Sequence, residues 1–398
     1  MDTLLTPQPV GPLSRRSLLR QALKLTAQPP RVRASASQES LLLSQPVMGV
    51  VSSPAPGTLL VRHQMSFVKK PALPYGLEWE PDSGLLAALA IPSPVRDLPR
   101  ERLLYLWEAA GAIYAVYQPF PGDARWAALA WGPDSQHLSS LEGSRQVMEV
   151  SLVMWNVTTG LIDERLGIAA GVENYTSFPV YALAWSPDRK RIAMAADGGT
   201  VAWEVVSGDL SSKGLRTSYP TDVSYIVAWS PDSKTIASAG RTHAVQFWEA
   251  ASGRPLHYFP EETKALAAAW SPDGQALAYL AGPVSLQTWN RPQSLTLVVR
   301  EVNSGRLLLS QPAVYPALPS GLPGIPLLLR SLAWSPTSRW LAVAGQGATV
   351  QVWEIARQRL ALTYRGHRAP VLAVAWSPRG DWLASASSDG DVHVWKAP

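Results

Sequence analysis

The chain spells one short signature seven times, and that repetition leaves few folds open. The copies are LEWEPDSG around Trp79, LAWGPDS around Trp131, LAWSPDR around Trp185, VAWSPDS around Trp229, AAWSPDG around Trp270, LAWSPTS around Trp334 and VAWSPRG around Trp376. In every copy the Trp is followed two positions on by a proline: Pro81, Pro133, Pro187, Pro231, Pro272, Pro336 and Pro378. Ser-Pro-Asp-Gly suits a type I turn, because Ser caps the first position, Pro presets φ at the second and Gly relieves the fourth. Successive Trp anchors lie 52, 54, 44, 41, 64 and 42 residues apart. Even the longest gap is too short for two units of about 40 residues each, so the count is seven.

Around each turn the chain reads as strands. A short Ala-rich apolar run precedes it, as in YALAW and ALAAAW, and a second run follows, as in RIAMAA, TIASAG and WLAVAG. A third run ends in Trp, usually with an acid after it: Trp107, Trp155, Trp203, Trp248, Trp353 and Trp395. In the fifth copy Arg300 stands at this position. A tight turn such as VSG, ASG or NSG then leads into a fourth run. Thirteen of the 17 Trp occupy the two repeat positions, so we read them as packing residues of the fold.

Four strands per unit and seven units over residues 57–398 resemble the WD40-repeat β-propeller family. The resemblance implies an all-β fold: a seven-bladed β-propeller of four-stranded antiparallel blades, with the ring closed by an N-terminal strand. TolB-like propellers share Ser-Pro-Asp-Gly but lack the regular third-strand V-x-V/F-W-E. The last unit stops at Trp395 with only KAP after it, so its fourth strand must come from elsewhere. PGTLLVRH at 56–63 supplies it by analogy with SGRLLLS at 304–310, and residues 57–64 are expected to complete the last blade. The competitor is LLLSQP at 41–46, which repeats 307–312 letter for letter but lies 38 residues from Trp79. Residues 1–56 are read as a flexible basic arm containing Pro and Ser. SRRSLLR at 14–20 resembles a twin-arginine export motif, yet no apolar h-region of about 7–15 residues follows it. A short amphipathic helix and a cytoplasmic location are expected, with export as the alternative.

Composition narrows the chemistry. There is no cysteine, which excludes thiol catalysis and disulfides. The net charge is +5, but residues 1–56 hold six bases and two acids, leaving 29 bases and 28 acids on the body. A near-neutral body disfavours a nucleic-acid partner. No apolar run approaches the roughly 18 residues of a membrane span. Six histidines are scattered without paired metal spacing, and no Walker loop, G-x-S-x-G elbow or dinucleotide fingerprint is present. No cofactor or metal is therefore expected, and the chain is read as non-enzymatic.

In the seventh copy, GHRAPVLAVAWSPRGDWLASASSDGDVHVW, the family resemblance implies a buried hydrogen-bonded tetrad of His367, Ser385 (or Ser387), Asp389 and Trp395. Ser, His and Asp also compose a catalytic triad, but a buried relay gives a substrate no access. A structural lock is expected here.

Loop length is the functional signal. First-to-second and third-to-fourth turns are read as short throughout. The long connections join second to third strands (91–101, 139–148, 281–293) or blade to blade (117–124, 167–179, 311–327), and in a propeller both classes emerge on one face, the top. They carry Phe120, Tyr175, Phe178, Trp289 and Tyr315, side chains suited to anchoring a partner. The expected role is a monomeric interaction scaffold binding a protein or peptide on the top face. The alternative is a small-ligand sensor or enzyme using the axial mouth.

Overall fold

A computed structural model of the chain describes residues 55–398 apart from 65, 68–69, 82–83, 93–102, 109–112, 118–128, 133–134, 145–148, 158, 160, 168–179, 189, 197–198, 205–215, 220–223, 241–243, 261–263, 283–292 and 316–330. The competing segment 41–46 and residues 1–54 of the arm lie outside the described residues.

The strands form seven antiparallel sheets, six of four strands and one of five. Blade 4 shows the plan: Ser224–Trp229, Thr235–Gly240, Ala244–Glu249 and Pro255–Pro260 pair in chain order. Blades 1, 2 and 5, whose sequences depart most from the repeat, keep the same order, and blade 1 adds a two-residue strand at Ser66–Phe67. First strands touch first strands all the way round, blade 7 against blade 1 included, so the molecule is a ring of seven blades. Blade 7 consists of Val371–Trp376, Trp382–Ser387, Asp391–Lys396 and, outermost, Leu59–Gln64, which pairs antiparallel with Asp391–Lys396.

The Ala-rich spelling follows from crowding towards the axis. Ala193, Ala237, Ala267, Ala278, Ala342, Ala373 and Ala384 are all essentially excluded from solvent. The Ser-Pro turns form as their chemistry requires. Ser230 N–H donates to Thr235 O, Ser230 Oγ accepts from Thr235 N–H at 2.9 Å, and its hydroxyl donates to Asp232 at 2.6 Å. The fourth turn residue is left-handed: Gly274 at φ 71 and Gly380 at φ 78, but also Ser233 at φ 61 and Ser338 at φ 57. Serine tolerates this unfavourable φ where its hydroxyl reaches the neighbouring blade. Ser233 Oγ accepts from Asp188 N–H at 2.9 Å, and Ser338 Oγ accepts from Asp273 N–H at 3.0 Å.

The anchor tryptophans do more than fill space. Six of the seven indole N–H groups point across a seam to the blade before them. Trp79 donates to Ala375 O, Trp131 to Glu78 O, Trp229 to Ala184 O, Trp270 to Ala228 O and Trp334 to Ala269 O, at 3.0–3.3 Å. The acceptor is always the residue before the previous anchor, so the stitch repeats with the fold. Trp185 instead reaches Ser139 Oγ at 2.9 Å, on the strand paired with that site. Trp376 breaks the series: its buried N–H has no partner.

An outer ring of contacts lies over the same seams. The fourth strand of one blade sends a ring onto the third strand of the next. Tyr219 meets Trp248 edge-on at 6.1 Å, Tyr364 stacks on Trp395 at 4.4 Å and His63 stacks on Trp107 at 5.0 Å. Arg300, which replaces the third-strand Trp in blade 5, sits 5.9 Å from the centre of Phe259 and hydrogen-bonds Tyr279 Oη at 2.9 Å. A flat donor thus stands where a flat indole would.

Two expectations about connections are corrected. In blade 3 the fourth strand is Arg216–Tyr219, so residues 205–215 join third to fourth strand on the face expected to carry only short turns. The segment after VSG is polar, DLSSKG, and the strand is taken from the later stretch that brings Tyr219 to Trp248. In blade 2 much of 139–148 is strand, because His137–Ser144 and Glu149–Asn156 pair as one long hairpin.

Candidate functional site

The polar cluster of blade 7 is a relay of five side chains drawn from three segments. Indole can only donate, which sets the direction of the whole relay. Trp395 Nε1–H donates to Ser385 Oγ at 3.1 Å, and the Ser385 hydroxyl donates to His367 Nε2 at 2.7 Å. The His367 proton is thereby placed on Nδ1, which donates to Ser387 Oγ at 3.0 Å, and Ser387 donates to Asp389 at 2.5 Å. Both serines are used, where the sequence left the choice between them open. Ser238 and Trp248 repeat the first step in blade 4, at 2.8 Å. The Ser in TIASAG at the place of Ser385 in WLASAS was the signal for it.

This arrangement does not offer a nucleophile to a substrate. Ser385 and Ser387 have no exposed surface and His367 has 5%. Burial pushes the His367 pKa down to about 3, with the neighbouring His393 and Arg62 acting in the same direction against the opposing field of Asp389. A neutral imidazole is what a one-way relay needs.

The relay is joined to the seams on both sides. His367 stacks on His393 at 3.9 Å, and Tyr364 Oη of blade 6 bonds His393 Nδ1 at 2.9 Å. From the outermost strand, Arg62 reaches Asp391 at 2.5 Å, a carboxylate with 4% exposure. The seam without its indole stitch, between blades 6 and 7, is thus held by Tyr364 against Trp395 and His393.

Of the expected partner-binding residues, Phe120, Tyr175, Phe178 and Trp289 lie outside the described residues. Tyr315 is described for its backbone alone. It was expected in a loop but ends the strand Leu307–Tyr315, opposite Gln293, because that strand continues through QPAVY. It still stands at the end of the sheet from which the connection to blade 6 departs. Among the described residues no group of three His, Asp or Glu is arranged to hold a metal ion. Nor is any helix there long and apolar enough to cross a membrane.

Comparison with known proteins adds a family match for the last two blades. The model described as "WD domain, G-beta repeat" matches residues 326–354 and 358–396, which are blade 6 and most of blade 7. A chain in a solved structure titled "Crystal Structure of Mitotic Checkpoint Complex" superposes with a TM-score of 0.61 at 17% identity, covering 92% of this chain and 99% of that one. At that identity the likeness is one of fold. No curated protein sequence matches the chain. The family model thus finds WD40 repeats in the last two blades, and the same four-stranded unit is repeated round a seven-bladed β-propeller.

Proposed function

We propose that the chain is a non-enzymatic scaffold that holds a protein or peptide partner on the top face of its propeller. WD40 propellers generally serve as interaction scaffolds, and the similar solved chain is itself part of a protein complex. The observation that carries the reading is where the strands end. The connections at 93–102, 118–128, 168–179, 283–292 and 316–330 all link strand ends on one face. On the opposite face the described strands are joined by connections of four or five residues, 205–215 excepted. Extended connections gathered on one face of a rigid ring are where repeat proteins place recognition.

Trp289 and Tyr315 are the anchors to test. The double variant Trp289→Ala/Tyr315→Ala should lose a partner that the wild-type chain captures from the source cells, with its thermal midpoint unchanged. Undiminished capture by the folded double variant would refute the top face as the docking surface.

A further inference from the structure

On the face opposite the top, the short turns of blades 6 and 7 differ in charge from those of their neighbours. Blade 4 shows two acids, Asp232 and Glu249, against Lys234 and Arg254. Blade 5 shows Asp273 and Glu301 against Arg306. In blades 6 and 7 the turn acid of Ser-Pro-Asp is replaced by Thr337 and Arg379. Blade 6 then carries Arg339, Arg357 and Arg359 around one acid, Glu354, and blade 7 carries Arg379 and Lys396 against Asp381.

The geometry makes this a surface rather than a sequence coincidence. Glu354 is 3% exposed and takes hydrogen bonds from Arg339 at 2.8 Å, Arg357 at 3.0 Å and Arg359 at 2.7 Å. In blades 4 and 5 one arginine per glutamate suffices, Arg254 for Glu249 and Arg306 for Glu301. Blade 6 spends three, and each keeps more than half of its side chain in solvent. A guanidinium fixed along one edge presents its remaining N–H groups outward at low entropy cost. The turn of blade 7 lies against the Ser-Pro turn of blade 6 that leads to Arg339, since a Cβ on Gly380 would meet Pro336 Cδ at 3.5 Å. Arg379 therefore extends the same patch.

We propose that the turn face of blades 6 and 7 is a second docking surface, and that its occupant is an acidic segment of a protein partner. Charge complementarity selects the occupant. The chain's own residues 1–56 are excluded by their excess of four positive charges, which the patch repels. A nucleic acid, with one charge per roughly 1.7 Å of duplex, needs a longer basic stripe. Here the same face turns neutral or acidic at blades 4 and 5. A short carboxylate-rich peptide matches the extent of the patch. This surface is independent of the top-face reading, because the two lie on opposite sides of the ring.

The test is fluorescence anisotropy of a labelled poly-glutamate peptide with the full chain. Arg357→Gln/Arg379→Gln leaves Arg339 and Arg359 on Glu354, and should weaken binding by about tenfold. Arg254→Gln/Arg306→Gln removes the same charge from the same face of blades 4 and 5 and should leave binding unchanged. Thermal melts establish that both variants fold. Equal weakening by the two pairs, no binding by the wild-type chain, or preferential binding of a single-stranded oligonucleotide of equal charge would each overturn the proposal.

Discussion

Trp334 and Trp376 occupy the same position in adjacent blades, and each is 8% exposed. They differ in one atom's surroundings: Trp334 Nε1–H meets Ala269 O at 3.0 Å, while Trp376 Nε1–H meets nothing. Replacing either by Phe removes the same volume, so the difference between the two variants isolates the stitch. Trp334→Phe should be roughly 1–2 kcal/mol more destabilising than Trp376→Phe, since it strands a carbonyl at a seam. Urea denaturation of both variants measures this directly, and equal losses would mean that the indoles act by packing alone. These cross-seam pairs are not visible in the sequence. The repeat made the tryptophans visible as packing groups. The acceptor of each N–H, however, lies 42 to 65 residues away in most of these pairs, on a different blade. His367 was legible through the family resemblance, because Gly-His, Ser, Asp and Trp stand in the family's order within one blade. Removing it leaves the hydroxyls of Ser385 and Ser387 without their imidazole in a solvent-free site. His367→Ala should cost about 2–4 kcal/mol without affecting partner capture, as read by thermal melts and pull-down together.

At the scale of the strand, the outer edge of each blade is where a propeller is exposed to unwanted pairing. The fourth strands carry a shared device against it. The register slips between Phe247 and Trp248 in blade 4, between Val299 and Arg300 in blade 5, and between Val352 and Trp353 in blade 6. The strand Leu59–Gln64 slips at the equivalent place, between Leu59 and Val61. A bulge there twists the edge and interrupts its ladder. That shared irregularity marks 59–64 as a fourth strand like the others, although it arrives from the opposite end of the chain. The resemblance of PGTLLVRH to SGRLLLS displayed this in advance. The start of the fourth strand in blade 3 was not displayed, because VSG imitates the tight turns of the other copies. Removing residues 1–54 should leave the thermal midpoint in place. Removing residues 1–64 takes Arg62 from Asp391 and His63 from Trp107 and bares the third strand of blade 7. The longer truncation should melt several degrees lower and scatter light on heating, as followed by differential scanning fluorimetry with simultaneous light scattering. Matching behaviour of the two truncations would deny 59–64 its role in the ring.

For the molecule as a whole, the histidines of the last seams begin to respond to acid at a higher pH than the arginine cluster of blade 6 does. Burial lowers the pKa of His63 to about 4 from an ordinary 6.5, and that of His367 to about 3. Burial lowers His393 as well, against the opposing fields of Asp391 and Asp389. All three therefore fold neutral. Above pH 6.5 neither the folded nor the unfolded chain protonates them, and their contribution to stability is whole. As pH falls below 6.5 the unfolded chain binds protons that the folded chain refuses, so stability drops until the folded pKa is reached. Glu354 acts lower down. Burial pushes its pKa up, but hydrogen bonds from Arg359 and Arg339 and the fields of Arg357 and Arg359 outweigh this and hold it at about 2, below its ordinary 4.5. Its stabilisation is present above pH 4.5 and is lost as pH falls towards 2. The ring should thus weaken first between pH 6.5 and about 4.5, from the histidines at the 6–7 and 7–1 seams, before its arginine cluster is touched. His63 Nε2 has no hydrogen-bond partner and the ring lies on Trp107, so His63→Phe keeps the stack while removing one titrating group. Thermal midpoints followed from pH 6.5 to about 4 should fall less steeply for His63→Phe than for the wild-type chain, and the two should converge in slope above pH 6.5. Parallel curves across the acid range would show that His63 titrates freely and that the seam between blade 7 and blade 1 is open to water.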